Sequence, residues 1–185
     1  AVGMFIGMQG GAAAVTVFNS LGFVRSAVVT LPEGFENGAV LADGTYVAVD
    51  ATKEGLKAIV TLPSCGTVSL RPATEAQTVA AGNVAVTKTE AGFVLENALV
   101  KAVVNNRGEV TSYVLKESGR EFAAGAMNRF RLFKDVPRRW DGWDIDSNYV
   151  YQEIDGAYDI NVELVEQGIE AVLKVTGKLL DSTYT

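Results

Sequence analysis

The amino-acid sequence predicts an all-β protein: a small β-sandwich followed by the N-terminal part of a larger antiparallel β-sandwich. Three observations carry that reading. Apolar and polar residues alternate with period two almost throughout. The alternating runs are short and rich in Val, Ile, Thr or Tyr, and Gly, Pro, Asn or Asp bounds each of them. No long stretch spaces its apolar residues by three and four, so a helical domain is excluded, and short strands with turn signals read as sandwiches. The chain of 185 residues is long enough to bury a core, and with 48% of its residues apolar it has the composition of a folded protein.

In order, the first strand signal is Val15 to Phe18, then Ala27 to Leu31, which Pro32 closes. Ala39 to Ala42 leads through Asp43-Gly44 into Thr45 to Val49. Asp-Gly is a tight-turn signal because glycine adopts positive φ without steric cost. Leu56 to Leu62 and Thr67 to Leu70 follow. From Arg71 to Ala81 the pattern lapses into Pro, Thr, Ala and Gln, the composition of a linker. The expected domains are therefore 12–76 and 77–185. In the second, strands are predicted over Asn83 to Thr87 and Gly92 to Glu96. The clearest hairpin runs from Leu99 to Val104, turns through Asn105-Asn106-Arg107-Gly108, and returns over Glu109 to Leu115. Asp159 to Val165 and Ile169 to Val175 alternate around Glu166-Gln167-Gly168.

Composition removes several function classes. A net charge of −6 with scattered basic residues argues against nucleic acid and against anionic membrane surfaces. No run of about 20 apolar residues exists to span a bilayer. Residues 1–14 are apolar and rich in small residues but lack a basic start, so they do not read as a signal peptide. The single cysteine, Cys65, precludes an internal disulfide and fits a reducing, cytoplasmic setting. The chain has no histidine, which removes imidazole-dependent triads and His-based zinc sites. It also leaves Cys65 without an activating base, so that thiol reads as structural or incidental. Any metal would need oxygen ligands alone.

Residues 128–151 break the alternation. Both tryptophans, Trp140 and Trp143, fall there with Asp135, Asp141, Asp144 and Asp146. Aromatic faces stack on the apolar faces of sugar rings, and carboxylates accept hydrogen bonds from paired hydroxyls, so this mixture suits carbohydrate. Two other readings stand beside it. Trp and Tyr also anchor the edge of a β core, and loop aspartates satisfy backbone N–H groups. Asp144, Asp146 and Asn148 also alternate as in calcium loops, although Tyr149 stands where such a loop turns on glycine. A catalytic carboxylate pair is disfavoured: in an extended segment Asp144 and Asp146 share one face and cannot flank a sugar from both sides.

The run Asp135-Val136-Pro137-Arg138-Arg139-Trp140-Asp141-Gly142-Trp143-Asp144-Ile145-Asp146 resembles the D-x-P-x-x-W-D-A-W-D-I-D stretch of family 38 α-mannosidases. Glu96-Asn97-Ala98-Leu99-Val100 resembles the strand that opens the large C-terminal β domain of that family. Gly108 to Ser112 and Lys116 to Phe122 resemble its following hairpin. Val17-Phe18-Asn19-Ser20-Leu21, Val24-Arg25 and the Pro63 to Gly66 turn resemble its small β domain. Gly142, where Ala is usual, and Cys65 are departures.

The resemblance implies a retaining exo-α-mannosidase whose catalytic aspartates and zinc ligands lie upstream, mostly in an α/β barrel. It implies no catalytic residue and no cofactor in this chain. The expected partners are that barrel and a mannose-containing glycan, with neither nucleic acid nor membrane. The resemblance places Trp143 and Asp144 in the loop that approaches the sugar, makes Trp140 and Asp141 structural, and allows Tyr149 either role. A freestanding β-sandwich carbohydrate-binding module is the alternative. The family's large β domain is longer than the residues available after the linker. Strands near Leu173 to Leu180 are therefore expected to lose neighbours, and the chain to self-associate through an exposed sheet edge or the face that would meet the barrel.

Overall fold

The computed structural model describes residues 2–9, 12–79, 82, 84–140 and 142–185, with side chains from Ala14 onward. It is built almost entirely of antiparallel strands and divides into two compact units. One holds residues 1–84 with 166–171, the other residues 85–165 with 172–185. Among the described residues no helix is long and apolar enough to cross a membrane.

The first unit is a two-sheet sandwich. Strands β1 (Val2–Gln9), β2 (Ala12–Asn19), β4 (Ala39–Leu41), β5 (Tyr46–Val47) and β8 (Thr67–Pro72) form one sheet in the order β1-β2-β8-β4-β5. Strands β3 (Arg25–Leu31), β6 (Val49–Thr52) and β7 (Gly55–Leu62) form the other in the order β3-β7-β6. Period-two alternation turns one face of each strand inward. Val15 and Val17 of β2, Val29 and Leu31 of β3, Ala58, Val60 and Leu62 of β7, and Leu70 of β8 make one buried cluster, with Phe35 between them. The opposite faces carry cross-strand hydroxyl pairs, Thr16 with Ser69 at 2.9 Å and Ser26 with Thr61 at 3.0 Å. β1, where the sequence gives no strand signal, pairs along its whole length with β2.

Two buried polar side chains complete this unit. Asn19 ends β2 and is wholly buried. Its Nδ2 donates to the carbonyls of Phe23 and Pro63, each at 2.9 Å, and its Oδ1 accepts the Leu21 N–H at 3.1 Å. One amide thus ties two loops together. Lys57 lies on the face of β7 opposite the core, yet it is only 6% exposed. Its ammonium donates to Glu170, and to Glu54 at 2.9 Å. The Glu170 hydrogen bond first, then that of Glu54, raises its pKa above the ordinary lysine value against the opposing cost of burial.

The second unit opens with the five-stranded sheet β13-β12-β11-β10-β9. Its strands are β9 (Ala85–Thr89), β10 (Gly92–Glu96), β11 (Val100–Asn105), β12 (Val110–Leu115) and β13 (Arg120–Glu121). The β11–β12 hairpin closes as the sequence predicts. Asn105 Oδ1 accepts the N–H groups of Arg107 (2.9 Å) and Glu109 (3.0 Å), and Gly108 sits at φ +75°. A Cβ there would lie 2.6 Å from Val175 Cγ1, so both turn conformation and close packing require glycine. Strands β14 (Leu132–Phe133) and β15 (Glu153–Ile154) pair with each other. β16 (Ala157–Gln167), β17 (Ala171–Leu179) and β18 (Ser182–Tyr184) form a third sheet in that order. β17 lies beside β16, and β18 covers its other edge only over Gly177 to Leu179, so the expected loss of neighbours near Leu173 to Leu180 does not extend to the end of β17; among the described residues β16 and β18 are the outer strands of this sheet. Phe93 is the large apolar side chain this unit buries most deeply among the described residues.

Candidate functional site

The aromatic segment is an excursion between two paired strands. Leu132 of β14 faces Ile154 of β15, and Phe133 faces Glu153. The Lys134 N–H extends the ladder by donating to the Gln152 carbonyl at 2.9 Å. Arg131 clamps the base from the side, its Nε at 3.1 Å from Glu153 Oε1 and its Nη2 at 2.7 Å from Oε2. That guanidinium, hydrogen-bonded to it, holds the Glu153 carboxyl below the usual range. Phe133 and Tyr149 meet edge to face with ring centroids 5.0 Å apart. Tyr149 thus packs on Phe133 at the foot of the loop. It sits in the 3₁₀ helix Ser147–Tyr151.

Halfway up, the Arg138 N–H donates to Asp146 Oδ2 at 3.0 Å. At the tip, Trp140 adopts φ +65°, and its carbonyl accepts the N–H groups of Gly142 and Trp143 at 2.8 Å and of Asp144 at 3.2 Å. Such a conformation is strained for a bulky residue and persists where surrounding bonds over-determine it. The Trp140 backbone thus holds the turn at the tip. Trp140 is 70% exposed and Trp143 94% exposed, and with Asp144 they line an open cavity of about 560 Å³. The loop therefore presents Trp140, Trp143 and Asp144 to one cavity. Asp141 lies outside the described residues.

The cation alternative is not assembled. Asp146 is committed to the Arg138 N–H, and Asp144 Oδ1 accepts the Ile145 N–H at 2.9 Å. No group of three His, Cys, Asp or Glu side chains converges among the described residues. What the tip offers is flat apolar surface beside a carboxylate. That surface suits the C–H face and hydroxyl edge of a sugar ring, or a protein partner.

Residues 95–185, which contain the whole loop, match the Glycosyl hydrolases family 38 C-terminal domain. This half of the chain is a family 38 domain. Among curated proteins, Alpha-mannosidase 2C1 of Homo sapiens is 39% identical over 92 residues, covering 48% of this chain and 9% of that protein. Alpha-mannosidase 2C1 of Mus musculus is 38% identical over 96 residues, with the same coverage. The chain thus spans less than a tenth of the length of these relatives.

Within the family 38 domain the motif residues act as fasteners. Asn97 Oδ1 accepts the N–H groups of Leu99 and Val100, each at 2.9 Å, and Glu96 pairs with Lys116 at 2.6 Å. Glu121 accepts from Ser112 Oγ (2.5 Å), the Tyr113 N–H (2.7 Å) and the Ala123 N–H (2.8 Å). Those bonds, the Ser112 hydroxyl first, hold its carboxyl down to about 2. A His/Asp zinc site of the kind the family implies does not fit this chain, which has no histidine. Cys65 is exposed in the turn after Pro63, its Sγ 3.6 Å from the Leu21 carbonyl.

Proposed function

We propose that the chain is the non-catalytic β portion of an exo-acting, retaining α-mannosidase that removes terminal α-mannose from glycans. In this reading residues 12–76 are a small β-sandwich and 77–185 the beginning of the large C-terminal one. The catalytic barrel is the partner, the cytoplasm is the setting, and the zinc ligands lie outside this chain. The observation that carries the reading is the family 38 match over 95–185. The braced loop with its two exposed indoles supports a sugar-contacting role for Trp143 and Asp144, with Trp140 beside them.

The test compares mannoside hydrolysis by the chain alone with that of an intact enzyme containing it. The isolated chain is expected to be inactive, and turnover comparable to the intact enzyme would refute the reading. In the intact enzyme, Trp143→Ala is expected to raise KM about tenfold, the cost of one lost stacking contact of ~1–1.5 kcal/mol. The exposed indole pair also favours a second reading, a freestanding carbohydrate-binding module. Sub-millimolar mannobiose binding to the isolated chain, read by tryptophan fluorescence and lost in Trp143→Ala, would decide for it. Self-association of the isolated chain, through the open edge of β16 or β18 or the face that would meet the barrel, belongs to the first reading. A strictly monomeric species in light scattering at high concentration would contradict it.

A further inference from the structure

A second cavity, of about 430 Å³, lies within the second unit and shares no lining residue with the tryptophan loop. Its walls carry Arg107, Glu109, Arg129, Phe130, Glu153 and Asp155. Neither arginine makes a side-chain hydrogen bond to these carboxylates. Arg107 Nε stands 3.7 Å and Arg129 Nε 3.9 Å from the same Glu109 oxygen, and Arg129 Nη2 stands 3.8 Å from Glu153. Arg107 spends one N–H on the Ala157 carbonyl at 3.4 Å. The Glu109 carboxylate is held in place from behind, where Oε2 accepts from Asn105 Nδ2 at 2.8 Å. Its side chain is only 14% exposed. Guanidinium donors and a carboxylate oxygen thus face one cavity at spacings too long for direct hydrogen bonds.

Charge decides what such a cavity would take. Two lining arginines meet three lining carboxylates, and Arg131, bonded to Glu153, supplies a third cation. With the charges balanced, neither an anion nor a metal cation is favoured. A neutral ligand with adjacent hydroxyls uses both kinds of group, donating to carboxylate and accepting from guanidinium. Phe130 adds a half-exposed ring, backed by Tyr184 at a centroid distance of 4.7 Å, against which the apolar face of a sugar ring can lie. The volume falls within the ~300–1,000 Å³ of small-molecule sites. We propose that this Arg107–Glu109–Arg129–Phe130 cavity is a binding site for a neutral mono- or disaccharide. The inference is independent of whether the tryptophan loop touches sugar.

The test is amide NMR of the full 185-residue chain titrated separately with mannobiose, maltose, inorganic phosphate and Ca²⁺. At least one neutral disaccharide is expected to shift amides at 107–109, 129–130 and 153–157 saturably, with millimolar affinity. Arg129→Gln should weaken that binding about tenfold, the scale of one lost charge-assisted hydrogen bond. Arg107→Gln serves if the first variant loses its native spectrum. Trp143→Ala should leave these shifts unchanged, which separates this site from the loop. The proposal is overturned if neither sugar produces saturable shifts by about 50 mM, well above the affinity expected. It is equally overturned if phosphate or Ca²⁺ saturates the same amides more tightly than the sugars, or if both arginine variants bind as the parent does.

Discussion

Replacing Asn19 should reveal how much of the first unit depends on one buried amide. The side chain is wholly buried and makes three hydrogen bonds, two donated to carbonyls and one accepted from an N–H. At about 1 kcal/mol net each, Asn19→Ala should cost up to ~3 kcal/mol. Water can reach the loops that hold the freed partners, because Phe23 is 60% exposed, so ~2–3 kcal/mol is the expected range. Asn19→Asp is the sharper perturbation. It keeps the acceptor but aims a carboxylate at the two carbonyls of Phe23 and Pro63, and should cost more than alanine at neutral pH. Burial and those carbonyls raise the folded pKa of the introduced carboxyl above its unfolded value of about 3.9. The folded state then binds the extra proton, so the deficit relative to Asn19→Ala should shrink as pH falls towards that value. Urea denaturation followed through amide resonances of Val60 and Leu70 isolates this unit from the other. A loss below ~0.5 kcal/mol for Asn19→Ala, or an aspartate variant that tracks alanine at every pH, would refute the reasoning.

Leu62, wholly buried where the two sheets meet, should cost about 3 kcal/mol when changed to alanine, read as a lower urea midpoint at unchanged slope. Lys57→Met should be nearly neutral because it removes the buried charge, whereas Glu170→Gln leaves that charge with Glu54 alone and should cost ~1–2 kcal/mol. The raised pKa of Lys57 makes its contribution complete below the ordinary value of about 10.4 and lost only as pH rises through the raised one; a Glu170→Gln penalty that fails to shrink in strong alkali would contradict this. Glu121 works in the opposite direction. Its depressed pKa of about 2 gives stability that is present above the ordinary carboxylate range and is lost as pH falls through 2, so a carboxyl ¹³C titration should have its midpoint near 2 and not at the ordinary value. Hydrogen exchange should find the Val114 amide opening at lower free energy than that of Val60, and equal protection would count against the difference in core between the units.

Local pattern made most strands legible. In β7 the alternation of Ala58, Val60 and Leu62 with Ile59 and Thr61 fixes which face is core, and Asn105 to Gly108 declares its own turn. The hidden features depend on residues far apart in sequence. Lys57 reads as an outward strand residue, and nothing near it announces a partner 113 positions on. Arg131 and Glu153 likewise meet across 22 positions. β1 carries no period-two signal because Val2 to Met8 are all apolar residues or glycine, with no polar residue alternating between them. At the candidate site, residue types single out Trp143 and Asp144 as candidates, and the structure adds only that both line one cavity. Trp140 could not be assigned in the same way, because its backbone holds the turn while its ring faces the cavity.

The two units reach order by different means, and that difference bears on what the second one presents. In the first, alternation closes a dry cluster from Val15 to Leu70, so polar groups such as Asn19 only fix the loops around it. In the second, Phe93 is the single large apolar side chain in the core among the described residues, and carboxylates, asparagines and guanidiniums brace the strand ends. Such fasteners position a short segment without covering it. Arg131 with Glu153, Phe133 with Tyr149 and Arg138 with Asp146 hold the loop from its foot and middle, leaving the indoles of Trp140 and Trp143 unspent at its tip. Exposed tryptophan on a braced loop contributes little to the stability of its own domain. Its expected contribution is to whatever it docks against, which is why Trp143→Ala should alter sugar or partner affinity while leaving the urea midpoint of the chain where it was.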